Sequence, residues 1–229
     1  MKKTFVLCVS WKGLSEPTSG LVARLEHLGC SKMTYVGVTD VSLARSMGLA
    51  AALHACEEKP ELETMVLLDD DIVPTLESVQ ALVDVCRELG GPVSGVYGMA
   101  SGAVAATHRP GFPVSEMWLT GLGFFALPIR RLRELGQQLP HVHSFGKSFP
   151  VFCRTGIHPD APGEWTSEDY WFCRDLGGVR LEPIPANHYK PRKVDGKLVP
   201  FMMTVPERTL EQVRRANLGE LPPAREDNE

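Results

Sequence analysis

Met65-Val66-Leu67-Leu68-Asp69-Asp70-Asp71-Ile72-Val73 is the stretch on which the reading of this chain turns. Four apolar residues run straight into three carboxylates. Such a run is what a strand buried on both faces of a sheet looks like, and open α/β sheets bind ligands at the carboxyl ends of such strands. Three acidic side chains there are costly unless something positive neutralises them. In an extended segment alternate residues point the same way, so Asp69 and Asp71 are expected to face one hard cation together while Asp70 points elsewhere. The competing reading is an acidic turn that caps the next helix.

Working outward, apolar runs alternate with amphipathic stretches. Thr4–Ser10 reads as a first strand, Ser19–Leu28 as a helix and Met33–Val38 as a second strand. Ser42–Ala55 reads as a helix of small residues with Ser42 as its N-cap, and Thr64–Leu68 as the third strand. Leu76, Val79, Leu82, Val83 and Cys86 recur at helical spacing and predict a helix over Thr75–Leu89, stopped by Gly90-Gly91-Pro92. Val93–Met99 returns as a strand. This order predicts a mostly parallel sheet covered by helices. After Met99 the texture changes. Gly102–Pro113 reads as a loop, Trp118–Leu127 as a strand and Ile129–Leu139 as an amphipathic helix. His141–Gly163 is irregular, Thr166–Leu176 a short helix and Val179–Pro185 the last strand. One domain is expected over residues 1–221, with 1–99 binding a ligand, 100–221 completing the site, and a disordered polar tail at 222–229.

Composition narrows the function classes. The 229 residues are 43% apolar and 23% charged with a net charge of −4, which excludes bulk disorder and any hold on nucleic acid by overall charge. No apolar run approaches the roughly 18–20 residues that cross a membrane. Met1-Lys2-Lys3 imitates a leader, but the apolar stretch after it is too short, so the protein is expected to be unexported and cytoplasmic. Cys8, Cys30, Cys56, Cys86, Cys153 and Cys173 are scattered without a C-x-x-C pair and are expected to be reduced thiols.

Two further groups carry polar chemistry. In Thr166-Ser167-Glu168-Asp169-Tyr170-Trp171-Phe172-Cys173, Thr166-x-x-Asp169 matches a capping box, while a carboxylate at a helix start could equally act as base toward a hydroxyl. The residues alone leave both open. Asn187-His188-Tyr189-Lys190 follows the expected last strand. There His188 could add a nitrogen ligand to a metal and Lys190 could meet a phosphate. His141-x-His143 and His158-x-Asp160 have metal-like spacing but sit in loops.

In this order the motifs resemble the GT-A glycosyltransferases over about Thr4–Lys190. Asp69-Asp70-Asp71 after its strand resembles their D-x-D motif, and Leu43-Ala44-Arg45 resembles the start of their nucleotide-side helix. Trp118-Leu119-Thr120-Gly121-Leu122-Gly123-Phe124-Phe125 is similar to the small-residue strand of their sugar pocket. Ser167–Cys173 closely resembles the E-D-Y-x-F-C helix of a phage and bacterial subgroup related to the fungal Golgi mannosyltransferases. His188 falls where many members carry a late metal-binding histidine.

The resemblance implies a single-domain α/β fold with a Rossmann-type mixed sheet flanked by helices. It implies a nucleotide-sugar donor, a UDP-sugar foremost, contacted by Arg45, Asp70, Gly121 and Lys190. Mn²⁺ or Mg²⁺ would be held by Asp69, Asp71 and His188, with Asp169 or Glu168 acting on an acceptor hydroxyl. The subgroup adds hydroxymethylated pyrimidines of phage-type DNA as an acceptor beside glycans and small molecules. Arg192, Lys193, Lys197, Arg208, Arg214 and Arg215 would then form a basic patch for phosphates. Two alternatives stand beside this reading. One is a haloacid-dehalogenase-type phosphatase with Asp69 as nucleophile; the other is a non-catalytic nucleotide-binding protein on the same scaffold.

Overall fold

The computed structural model describes residues 1–10, 12–36, 39–98, 106–108, 118–157, 163 and 165–220. The first half runs β1 (Thr4–Ser10), α1 (Glu16–His27), β2 (Ser31–Val36), α2 (Val41–Glu57), β3 (Thr64–Asp69), β4 (Ile72–Pro74), α3 (Leu76–Leu89) and β5 (Val93–Tyr97). Next come β6 (Ala106–His108), β7 (Trp118–Thr120), β8 (Phe124–Pro128), α4 (Ile129–Gln138), β9 (His141–Ser144) and β10 (Lys147–Pro150). The chain then forms β11 (Gly156–Ile157), β12 (Trp165–Thr166), α5 (Glu168–Asp175) and β13 (Arg180–Tyr189). It closes with β14 (Arg192–Val194), β15 (Lys197–Val199), β16 (Met202–Met203) and α6 (Glu207–Asn217).

Eight strands form one mixed sheet in the order β16-β13-β5-β8-β3-β1-β2, with β4 also paired to β13. β2, β1 and β3 are parallel, as the βα alternation predicts. β8 enters antiparallel between β3 and β5, so the sheet is less parallel than the strand–helix rhythm suggested. The pleat sends neighbouring residues to opposite faces. Phe5, Leu7, Met65, Leu67, Phe125 and Leu127 pack with α2, α4 and α5 on one face. Val6, Cys8, Val66, Leu68, Phe124 and Ala126 pack with α1 and α3 on the other. Burial on both faces explains why β1, β3 and β8 read as unbroken apolar runs. All six cysteines are buried and unpaired.

Helix boundaries follow their caps. Thr75 Oγ1 accepts from Ser78 N–H at 3.1 Å, and Gly90 ends α3 in the left-handed conformation. α2 starts one residue before the expected cap: Asp40, not Ser42, accepts from Leu43 N–H at 2.8 Å.

Two strand expectations are corrected. The apolar run from Trp118 to Leu127 is two strands, broken at Gly121-Leu122-Gly123. The last strand continues past Pro185 to Tyr189, so His188 lies within β13 rather than after it. Pro183 and Pro185 offer no N–H to a ladder, and the β5–β13 register shifts between Leu181 and Pro185. Opposite, a side chain on Gly95 would collide with the Phe124 ring and lie 2.8 Å from the Ile184 carbonyl oxygen. Beyond the shift β13 gains a second partner: Ala186, Asn187 and His188 pair with Pro74, Val73 and Ile72 of β4. That pairing brings the end of β13 against the acidic turn. The tail at 222–229, His158-x-Asp160 and, apart from β6, the Gly102–Pro113 stretch lie outside the described residues.

Candidate functional site

Asp70 and Asp71 form a turn between β3 and β4, so the alternation expected of an extended segment ends at Asp69. The three carboxylates go to three different partners. The Asp70 carboxylate accepts from Ser10 Oγ at 2.6 Å, and its carbonyl oxygen accepts from Ser15 N–H and Thr18 Oγ1 at 3.1 and 2.9 Å. Burial, with Asp71 and Asp69 nearby, raises its carboxyl above the ordinary range although the Ser10 bond opposes the rise. Asp70 thus ties the turn to the start of α1.

Asp69 turns toward Arg45, and that guanidinium is the centre of the site. Arg45 lies in the first turns of α2, whose Gly48 lets the helix approach β1: a side chain there would sit 3.1 Å from Val9. The arginine is only 8% exposed. Its Nη2 donates to both Asp69 oxygens at 2.9 and 3.0 Å, and its Nη1 donates to Glu168 at 2.8 Å and Asp169 at 2.5 Å. Burial works against the cation, but Asp69, Asp169 and Glu168 outweigh it and hold its pKa well above the ordinary arginine value. Three carboxylates share one guanidinium, which leaves an excess of negative charge. Asp169 carries the consequence: burial first, then Glu168 and Asp69, push its pKa up to about 6 against the pull of Arg45 and the Leu122 N–H. Its side chain remains 28% exposed, so the carboxylate is reachable.

The capping-box reading of Thr166-x-x-Asp169 fails. Ser167 is the N-cap of α5 and no side chain caps it, while Asp169 and Glu168 are engaged by Arg45. Both acids still occupy the first turn, where the helix dipole favours negative charge.

The broken strand supplies the other wall. Asp69 N–H donates to the Gly123 carbonyl oxygen at 3.1 Å, and Gly123 N–H donates to the Tyr97 hydroxyl at 3.2 Å. A side chain on Gly123 would stand 2.9 Å from Asp69 Oδ2 and 3.1 Å from the Tyr97 ring. Gly121 is buried two residues earlier.

Asp71 faces the opposite charge balance. Lys190 Nζ stands 2.5 Å and His188 Nε2 3.3 Å from its Oδ2. Burial alone would raise the Asp71 carboxyl, yet bonds from His188 and Lys190 bring it below the ordinary range. His188 Nδ1 lies 2.8 Å from the Gly98 carbonyl oxygen, which can only accept, so Nδ1 carries a proton and Nε2 is turned to Asp71. Burial lowers the imidazole pKa, but Asp71 and Gly98 outweigh it and leave it raised. The Tyr97 ring meets His188 edge-on at 6.0 Å.

For a divalent cation the donor set fits in part. Asp71 offers a carboxylate and His188 a nitrogen whose ring is oriented from behind, the usual arrangement of a metal-binding histidine. Among the described residues, no three His, Cys, Asp or Glu side chains gather as a cation site, and both Asp69 oxygens are taken by Arg45. Sequence reasoning did not find Ser10, Tyr97, Gly98 or Gly123. Only Gly123 left a signal, as the second glycine of Gly121-Leu122-Gly123. Of the basic set, Arg192, Lys193 and Lys197 are exposed on the β14–β15 hairpin, while Arg214 on α6 is paired with Glu207 at 2.7 Å and Glu211 at 3.2 Å. His141 and His143 are exposed on β9. Among the described residues, no helix is long and apolar enough to cross a membrane.

No family model matches the chain, and no curated protein matches it in sequence. Among solved structures it is similar to A197 from STIV, with a TM-score of 0.55 and 16% identity over 86% of this chain and 93% of that one. Fainter likenesses are to a glycosyltransferase involved in glycosylation of the major capsid of PBCV-1 and to mannose-1-phosphate geranyltransferase from Thermus thermophilus. The first has a TM-score of 0.36 and 13% identity over 58% of this chain and 64% of that one. The second has a TM-score of 0.38 and 14% identity over 79% and 73%. At these identities the likeness to A197 speaks to fold alone, a mixed α/β fold with a central sheet flanked by helices; in this chain that fold carries an arginine-centred acidic site at the carboxyl end of β3.

Proposed function

We propose that the chain is a metal-dependent glycosyltransferase that moves a sugar from a nucleotide-sugar donor, a UDP-sugar foremost, to an acceptor hydroxyl. The observation that supports it most is the union of Asp69, Glu168 and Asp169 on one buried guanidinium, beside a corner where Asp71 meets His188 and Lys190. In this reading Arg45 is a positioning residue, its Nη atoms being committed to the carboxylates. Lys190, half-exposed at the rim, meets donor phosphate as a point charge. Gly121 lines the sugar side, and Asp70 flanks the donor through its tie to Ser10.

Asp71 and His188 are the residues that would hold Mn²⁺ or Mg²⁺, with Asp69 joining them only by giving up an Arg45 contact. When bound, such an ion supplies Lewis-acid stabilisation of the diphosphate charge. Asp169 has the pKa of a base working near neutral pH. If the reaction inverts, it takes the proton of the acceptor hydroxyl; if the reaction retains, it and Glu168 orient acceptor and sugar.

The test is release of nucleoside diphosphate from a panel of sugar nucleotides with Mn²⁺, Mg²⁺ or chelator. Acceptors are hydroxymethylated DNA in one arm and glycans or small hydroxyl compounds in the other. Turnover is expected to vanish with chelator and in Asp71→Ala. Metal-independent transfer, or an active Asp71→Ala enzyme, would remove the metal from the mechanism.

A further inference from the structure

At the far end of β3 from the acidic site, three arginines from two helices converge on a cavity of about 340 Å³. Thr64, which opens β3, lies in its wall, and Asp69 closes that strand, about 17 Å away at strand rise. Arg87 comes from the last turn of α3, and Arg130 and Arg133 from the first turns of α4. Arg130 and Arg133 make no ion pair among the described residues; Arg133 donates only a long bond to the Cys56 carbonyl oxygen at 3.4 Å.

The acid in the cavity wall is Glu63, and it is already held by Lys3 at 2.6 Å, leaving Arg87 Nε 4.0 Å from it. That Nε is fully buried and has no hydrogen-bond partner. The same guanidinium is anchored through Nη2, which donates to Thr4 Oγ1 at 3.3 Å, and its partly exposed face leaves it only partly neutralised beside Arg130 and Arg133.

Two further features point the same way. α4 begins at Pro128 without a side-chain cap and with no acid in its first turn, yet carries Arg130 and Arg131 there, against its own dipole. Gly90 is the close approach that admits Arg130: a side chain on it would sit 3.3 Å from the Arg130 guanidinium.

We propose that this cavity is a second binding site, distinct from the acidic one, for a phosphate or diphosphate group, free or carried on a small molecule. Guanidinium groups approaching from two helices suit the several oxygens of such an anion, and the volume suits a small phosphorylated compound. Leu62, Cys86 and Pro128 give its carrier an apolar wall.

The experiment is thermal denaturation and calorimetric titration of the full chain with inorganic phosphate, pyrophosphate and glucose 6-phosphate, with sodium chloride at matched ionic strength. Saturable binding is expected, with Tm rising about 5–10 °C at a hundredfold excess over Kd. The exposed pair Arg130→Gln/Arg133→Gln should keep the ligand-free Tm and weaken binding at least tenfold, while Lys190→Ala, at the acidic site, should bind as wild type does. Tighter binding of glucose 6-phosphate than of phosphate would identify the carried group as the ligand, and equal binding the free anion. The proposal is overturned by a chloride effect equal to that of phosphate, by unchanged binding in the double variant, or by loss of binding in Lys190→Ala alone.

Discussion

Asp69 and Asp71 stand two residues apart in one acidic triplet, yet they belong to opposite electrostatic regimes. Asp69 joins two other carboxylates around a single guanidinium that is almost sealed from water. Asp71 is one carboxylate between the half-exposed Lys190 ammonium and the His188 imidazole. In the first region negative charge is in excess, burial dominates and the Asp169 pKa rises to about 6. In the second, positive neighbours outweigh burial and the Asp71 carboxyl drops. A buried cluster whose members depend on one cation is a rigid framework, because removing the cation leaves uncompensated charge in a low dielectric. A rim cluster with a half-exposed cation is adjustable, because water and an incoming anion can replace its contacts.

The largest effect that would break this contrast is on Arg45. Arg45→Ala strands three carboxylates and is expected to cost about 3–5 kcal/mol, or roughly 10 °C in Tm, and to abolish turnover. A melting curve within about 2 °C of wild type would show that the cluster is not a framework.

Asp169→Asn comes next. It should lower kcat by about 10²–10⁴ with donor binding retained, and Tm should stay level or rise because an excess charge is removed. Glu168→Gln is the matched comparison and should lose less.

The pH response sharpens the contrast. The Asp169 carboxyl binds its proton more tightly folded than unfolded, so its ionisation cost is fully present above pH 6 and is relieved as pH falls from 6 toward 4. Asp71 has the opposite sign: its lowered pKa adds stability at neutral pH that is lost as pH falls through the ordinary carboxylate range and below. Tm measured against pH should therefore lose its gain between pH 6 and 4 in Asp169→Asn but keep it in Asp71→Asn. Turnover, which needs ionised Asp169, should fall as pH drops below about 6.

At the rim, Lys190→Ala is expected to raise the donor KM by an amount equivalent to about 1.5–3 kcal/mol, with kcat and Tm little changed. Unchanged donor affinity would put Lys190 outside the donor site. The smallest effect is a control: Thr166→Ala should shift stability by less than about 0.5 kcal/mol, since no side chain caps α5. A loss of about 1 kcal/mol or more would restore the capping box.

In the first half of the chain the local elements and their order were legible in the sequence alone, whereas the β9–β10 hairpin, the β14–β15 hairpin and α6 were not. Helical spacing from Leu76 to Cys86, with Thr75 before it and Gly90 after, located α3, and the apolar runs at Thr4–Ser10 and Thr64–Leu68 located β1 and β3. These signals are legible because caps, glycine stops and side-chain period act within a few residues. The acidic triplet, Asp169, Glu168, His188 and Lys190 were also identifiable by type. Their partners were not. Arg45 lies 123 residues from Glu168 and 124 from Asp169, and Asp71 lies 119 from Lys190. Those meetings exist only because β8 inserts between β3 and β5, β13 bends at its prolines to reach β4, and Gly123 leaves room beside Asp69. The sequence by itself determined which acids and bases the protein possesses and which elements carry them. Tertiary structure decided which charge each one faces and how much water it keeps, and so moved the pKa values of Asp70, Asp71 and Asp169, because both burial and charge proximity are properties of the folded packing.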